Sequence, residues 1–518
     1  MMNFACRKLW PLPLLCLLVL PLHVEAQRLI TYEAGLGRRD KNAPDVWILC
    51  REVRAEHEGM VLYADSALLD NKANSFTAYN NIEIMLTDTT FIYGRELYYD
   101  GLTRIVDIWD DTVIFIDGET VLYTDHLTFD RNANKAYYDS WGHTTNRSDT
   151  LDSYIGIYDA TVKEVFIYDE VVLRDSASRL ETDTLLYRVK DDAADFRSST
   201  YIYSDTTTIY SERGSYFTQQ RYALSTKASF VKTGSRRLTC DTLHYFENQE
   251  YARAIGNVAL YDSVNDVSCY GRYGETNQKD YYSYVTDSAV VVYVQQKGSE
   301  NPLEKDTVWM HADTIRVFNN TDQKIEYIEA HHGVKVYRHD VQAMCDSAYY
   351  NLPDSVMYLH NSPTMWQNLQ QCSADTIIIH TGNDGVRRAD LNGHCFVAEK
   401  VDPEKFNQIK GNDAKVYFAD SEPTYADILG NAEMVYYITE EVGPLKELML
   451  IGVNVGVGSD MRLYFSERQP TRVVTYQQPD MFTYPVSQLP ADKEKMEGFE
   501  WKEEYRPHCP GEIFIKKE

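Results

Sequence analysis

Apolar and polar residues alternate along most of this chain, most clearly in Leu238–Leu260, LTCDTLHYFENQEYARAIGNVAL. Leu243 and Tyr245 alternate with Thr242 and His244, and a polar turn follows at Glu247, Asn248 and Gln249. A second run then carries Tyr251, Ala252, Ala254 and Ile255 into Gly256-Asn257-Val258. A period of two puts alternate side chains on opposite faces of a strand, and a short Asn-containing turn between two such runs predicts a hairpin. Copies recur at Tyr63–Asp70, Gly94–Asp100, Tyr123–Asp130, Thr182–Tyr187, Ala312–Phe318, Cys345–Tyr350 and Ala374–Ile379. Their spacing of roughly 30 residues is the mark of a stacked array, in which each hairpin buries its apolar face against its neighbours. Connections this short give antiparallel meanders.

Two landmarks repeat inside each copy. The outgoing strand carries an aspartate followed by a small or polar residue: Asp65, Asp125, Asp183, Asp241, Asp313, Asp346 and Asp375. The return strand carries Gly256-Asn257 or a counterpart, such as Asn80-Asn81, His332-Gly333, Gly393-His394 and Gly430-Asn431. Gly or Asn inside a strand marks a bend or bulge, and an Asp side chain can accept a backbone N–H that holds one. Both strands are therefore expected to bend in mid-course, creasing the array into two leaves. Stacked aspartates could also bind a cation. The Gly-rich nonapeptide of calcium-binding rolls is absent, so the bend is the preferred reading and no metal is expected.

The apolar positions form a ladder. Leu127 and Phe129, Leu185 and Tyr187, Leu243 and Tyr245, Ile315 and Val317, and Ile377 and Ile379 lie two and four residues after the aspartates, with Val258 and Leu260 among their return-strand partners. These are the interior-facing candidates. The pattern fits a closed sandwich core and equally a trough wide enough to hold acyl chains, and stacking alone does not separate the two.

Composition narrows the function. The formal net charge of -27 removes the basic face that nucleic acid requires. Forty tyrosines suit pleated, half-buried surfaces. Met1–Ala26 reads as a cleaved export signal, with Arg7 and Lys8 before an apolar run and Val24-Glu25-Ala26 at its end. Residues 27–44 read as a loose lead-in, 45–200 and 201–465 as two successive segments of the array, and 466–518 as a Pro-rich cap or docking tail. Export permits disulfides, but nothing fixes a pairing among Cys50, Cys240, Cys269, Cys345, Cys372, Cys395 and Cys509. The chain has no H-E-x-x-H, G-x-S-x-G, phosphate loop or dinucleotide fingerprint, so no enzyme and no cofactor is expected.

The repeated Asp-Ser/Thr-apolar motif, a turn and then Ala-x-Gly-Asn-Val resemble the OstA-like family. Thr239-Cys240-Asp241-Thr242-Leu243 with Gly256-Asn257-Val258 carries the likeness best. That family comprises the periplasmic lipopolysaccharide-transport bridge (LptA type) and the periplasmic domain of its outer-membrane partner (LptD type). The resemblance implies an all-β fold, an elongated antiparallel β-jelly roll of two leaves. It also implies a periplasmic bridge shielding the acyl chains of lipopolysaccharide or a similar glycolipid. Its partners would be other Lpt components placed end to end, the inner-membrane exporter complex and the outer-membrane translocon, with self-association also open. The competing expectation is a structural or adhesive β-solenoid with a dry core.

Overall fold

The structure is a computed structural model and describes residues 29–296, 305–382, 385–420, 422–442, 447–466, 469–477 and 479–515. The export signal expected at Met1–Ala26 lies outside these residues. Among the described residues the regular elements are β-strands, apart from one four-residue helix (Ala491–Glu494) and short 3-10 turns. The fold is all-β and antiparallel, of jelly-roll type, as the alternation of period two requires. Contacts group the chain into two compact units, Met1–Thr144 with Asp159–Thr161, and Thr145–Tyr158 with Val162–Glu518.

In the first unit, strands Val46–His57, Met60–Asp70, Ser75–Thr87, Thr90–Asp100, Ile105–Asp117 and Thr120–Asp130 pair in chain order. Each pairing shifts register in mid-strand, for example between Tyr79 and Ile82 and between Tyr93 and Glu96. Asn80 and Asn81 there adopt left-handed φ of 61° and 49°. Two consecutive left-handed residues cannot continue a pleated strand, so the sheet folds over at this seam. The halves on either side become a first leaf (for example 66–79 and 96–109) and a second leaf (for example 82–94 and 113–124). Phe115 of the second leaf meets Phe129 of the first at 5.9 Å between ring centroids.

Residues 29–44 depart from the loose lead-in expected of them. Thr31–Glu33 pairs with Arg54–Glu56, and Leu36–Arg39 pairs with Trp47–Cys50. The alternation there is too short to stand out, but the exposed edge of Val46–His57 supplies a template that two brief strands can join.

The second unit repeats the arrangement. In Leu238–Leu260 the outgoing strand is interrupted at Asp241, giving Arg236–Cys240 and Thr242–Phe246, and both pair with the return strand Tyr251–Asp262. The sheet runs past the end anticipated near Phe465. Gln469–Tyr476 pairs with Asp460–Ser466, and Asp480–Tyr484 pairs with Val453–Val457. Pro470 is tolerated because it stands second in its strand, at a register shift opposite Phe465. The chain beyond, from Pro485, has no further strand among the described residues.

Candidate functional site

The aspartates singled out in the sequence lie at the seam. Asn81 Nδ2 donates to Asp65 Oδ2 (2.8 Å) and Asn257 Nδ2 to Asp241 Oδ2 (2.9 Å). Asn361 Nδ2 donates to Asp346 Oδ2 (3.3 Å), which helps hold that carboxyl below its usual range, and His394 Nδ1 lies 2.9 Å from Asp375 Oδ2. Ser140 donates to Asp125, Thr184 Oγ1 donates to Asp183 Oδ2 (2.9 Å), and the Asp313 carbonyl accepts from Thr286 Oγ1 (3.0 Å). The Asp241 N–H donates to the Gly256 carbonyl (2.9 Å), and Gly256 sits at φ +74°, where an added Cβ would meet Asp241 Oδ2 at 2.4 Å. The seam thus brings Asp241, Gly256 and Asn257 together, and the carboxylates of Asp65, Asp241, Asp346 and Asp375 are engaged by side chains of neighbouring strands or turns. Among the described residues no group of His, Cys, Asp or Glu is arranged to hold a metal ion.

Between the leaves, the inner side chains form two rows on each leaf, one beside the seam and one farther out. In the first unit both rows are shut. Leu127 and Phe129 are buried, as are Ile84, Ile92 and Phe115 opposite. The Tyr99 hydroxyl in the first leaf lies 2.6 Å from His57 Nδ1 in the second and accepts from Arg131 (2.8 Å). The early part of the second unit is closed in the same manner. Tyr187 donates to Asp149 Oδ2 (2.7 Å), Thr218 Oγ1 donates to the same oxygen (2.6 Å), and Tyr216 donates to Asp175 (2.7 Å). Burial pushes the Asp149 carboxyl up, and also raises the Tyr187 and Tyr216 phenols. The predicted ladder residues Leu185, Tyr187 and Leu243 are fully buried here, with Tyr245 and Val258 nearly so and Leu260 half-buried. A cavity of about 20 Å³ lies between Leu238 and Leu260 on one leaf and Tyr245 and Ala252 on the other. That is room for about one water.

Farther along the second unit the two rows part company. The row beside the seam stays sealed through Val285, Ile315, Leu359, Ile377, Leu391, Ala414 and Ile428. The outer row does not. On the second leaf, Val291, Met310, Val336, Ala343, Met365, Cys372, Val397, Ile409 and Met434 pair in one continuous line. Met310, Val336, Met365, Cys372, Val397 and Ile409 in that line are only half-buried. The first leaf answers with Val317, Ile328, Tyr350, Met357, Ile379, Ala389 and Val416, of which Tyr350, Met357, Ala389 and Val416 are half-buried. Over residues 310–416 the inner side chains beside the seam are buried and most of those farther out are partly exposed, the burial pattern of an apolar trough that opens away from the seam. Of the predicted ladder, Val317 and Ile379 belong to its walls and Ile315 and Ile377 to its sealed floor.

The walls missed from the sequence, such as Met310, Met365, Val397 and Ile409, carry a signal in size. Where the leaves are closed, the outer row of the first leaf holds large rings, Phe76, Tyr99, Phe129, Tyr187, Tyr216 and Tyr245. In the trough the same row holds a single ring, Tyr350, among Val317, Ile328, Met357, Ile379, Ala389 and Val416. Smaller side chains do not reach across, so the space stays unfilled.

Comparison with known families matches residues 29–183 to "OstA-like protein" and residues 302–384 to "LptA/(LptD N-terminal domain) LPS transport protein". Residues 29–183 are OstA-like. The second match covers much of the open trough, and the first covers the whole closed stretch of the first unit. Among solved structures, LptH of Pseudomonas aeruginosa, described as the LptA homologous periplasmic component of the lipopolysaccharide transport device, is 12% identical. That alignment covers 28% of this chain and 95% of LptH with a TM-score of 0.22. Comparison with curated proteins returned no match. Among the described residues, no helix is long and apolar enough to cross a membrane.

Proposed function

We propose that this chain is a periplasmic component of lipopolysaccharide transport and that its trough shields acyl chains in transit. The reading is carried by the half-exposed apolar walls over residues 310–416, set in a chain that matches both families. A sealed seam and diverging walls give hydrocarbon a floor and two sides, while the sugar portion stays in water on the open side. Each methylene withdrawn from water is worth about 0.8 kcal/mol, so a fatty chain gains several kcal/mol from such walls without chemistry. The acidic exterior discourages phosphate-bearing head groups from adhering. Direction comes from partners, since the chain has no nucleotide-binding motif; they are the other Lpt components, joined end to end.

The closed stretch, with its ring-filled interior, serves as a rigid spacer in this conformation, and passage through it requires the tyrosine contacts between the leaves to part. A photo-crosslinking residue at Val397 or Ile409 is expected to capture lipopolysaccharide, whereas one at Ile84 captures none. Crosslinks absent from the trough positions at saturating lipopolysaccharide would leave only the dry scaffold.

A further inference from the structure

The second leaf has an outer face as well as the inner one that lines the trough. Over the open stretch this outer face is also apolar and buried: Trp366 is fully enclosed, and Phe406, Ala398, Tyr437 and Val453 are nearly so. What covers it is the chain's own end. From Pro485 the C-terminal segment runs back across the strands, packing Val486, Leu489 and Met496 over Val435, Tyr437, Val453 and Val455. Farther on it sets Phe499 and Trp501 against Phe406, both with ring centroids 5.0 Å away. It finishes with Ile513 on Val290 and Val292.

Its polar attachment is regular. Gln408 donates from Nε2 to the Glu494 carbonyl (2.8 Å) and accepts at Oε1 from the Met496 N–H (2.9 Å). Gln371 does the same with the Glu500 carbonyl (2.7 Å) and the Lys502 N–H (2.7 Å), and Trp366 Nε1 braces its Oε1 at 3.1 Å. Gln342 Oε1 accepts from Arg506 Nε (2.8 Å). All three glutamines are buried and stand in one register row, Gln342–Trp366–Gln371–Ala398–Gln408. A carboxamide carries an NH2 donor group beside a carbonyl acceptor, which matches a backbone C=O and N–H two residues apart in extended chain. This face is therefore a groove that grips a peptide backbone at Glu494–Met496 and Glu500–Lys502, and residues 485–515, with their short helical turns, are its occupant.

The reach of this segment, from Val290 to Val455, brackets the stretch over which the inner walls stand apart. Over residues 53–260, where no described residue of the C-terminal segment packs on the second leaf, that leaf lies shut on the first. We propose that residues 485–515 are a strap that holds the trough open: by burying the outer face of the second leaf, the strap lets that leaf leave its inner face uncovered. Clasping Gln342, Gln371 and Gln408 in series, it also fixes the curvature of the strands between them. The inference concerns the width of the trough and does not depend on what the trough carries.

The chain contains its own reporter. Cys372 lies in the outer row of the trough wall, Cys269 lies buried on the strand Val267–Asn277, and Cys509 is exposed on the strap. In the full-length chain carrying Gln371→Leu and Gln408→Leu, amide exchange at Met496 and Lys502 is expected to quicken at least tenfold. Maleimide labelling of Cys372 is then expected to slow at least threefold, with Cys509 labelling at its original rate and Cys269 staying protected. Arg506→Ala, which alters only the strap, should give a smaller change of the same sign and keeps the test valid if the double variant fails to fold. Faster exchange with Cys372 labelling unchanged or accelerated would overturn the proposal, as would unchanged exchange at both amides. Lipopolysaccharide crosslinking at Val397 is read separately, so loss of the strap's role and loss of the transport reading give different results.

Discussion

A matched pair of truncations, Ile84→Ala and Ile409→Ala, tests whether the leaves are shut in one stretch and parted in another. Both residues lie on the inner face of the second leaf, in the row farther from the seam. Ile84 is fully buried between Leu62 and Ile92, whereas Ile409 is half-buried beside Val397 and Met434. The change removes three carbons. At about 0.8 kcal/mol each, Ile84 forfeits about 2.4 kcal/mol of transfer energy, and the cavity left in a ring-packed interior raises the loss to about 3–4 kcal/mol. Ile409 keeps up to about a third of its surface in water, so it forfeits about 1.6 kcal/mol and leaves no enclosed cavity. Urea unfolding followed by hydrogen-exchange mass spectrometry reads the two units separately, which matters because a chain of this size need not unfold in one step. A gap of about 2 kcal/mol between the two variants is expected. Equal losses would mean that the walls around Ile409 are packed, and the trough would have to be abandoned.

Three further outcomes follow from named contacts. Tyr187→Phe leaves the buried Asp149 carboxylate short of one donor, and a loss of about 2 kcal/mol is expected by the same measurement at neutral pH. The folded-state pKa of Asp149 is raised, so its contribution is fully present below the ordinary carboxylate value and is lost as pH rises through the raised one. The stability gained by Asp149→Asn should accordingly be larger at pH 7 than at pH 4, and a gain that is flat or grows on acidification would show that burial is not what raises that carboxyl. Gly256→Ala places a Cβ against Asp241 at a left-handed position and should cost about 2 kcal/mol, with Asn257→Ala milder because only the Asp241 bond is lost.

The strands, their pairing order and the seam were legible in the sequence because each is written locally. Alternation gives the strand, Asn248 and its counterparts give the turn, and the recurrence of Asp241 and Gly256-Asn257 in other copies gives the bend. The width between the leaves was not legible, because an inward-facing Ile84 and an inward-facing Ile409 occupy the same place in the pattern. What separates them is the reach of the residues opposite, Phe76 and Tyr99 in one stretch and Ala389 and Val416 in the other, which only register reveals. The groove under the C-terminal segment was hidden for a related reason. Gln342, Gln371 and Gln408 sit at polar positions of alternating strands, where the simplest expectation is water, and their true partners are more than 80 residues away in the chain.

The paired left-handed residues at the seam also govern how such a chain can change over time. A one-residue slip would push a side chain such as Val258 into a backbone geometry it resists, and would turn every wall residue of that strand to the wrong side. Gaining or losing an entire out-and-back pair keeps each Asp opposite its Asn or Gly. The architecture therefore tolerates growth in whole rungs and resists smaller edits, so its span can be adjusted without redesigning what lies within it.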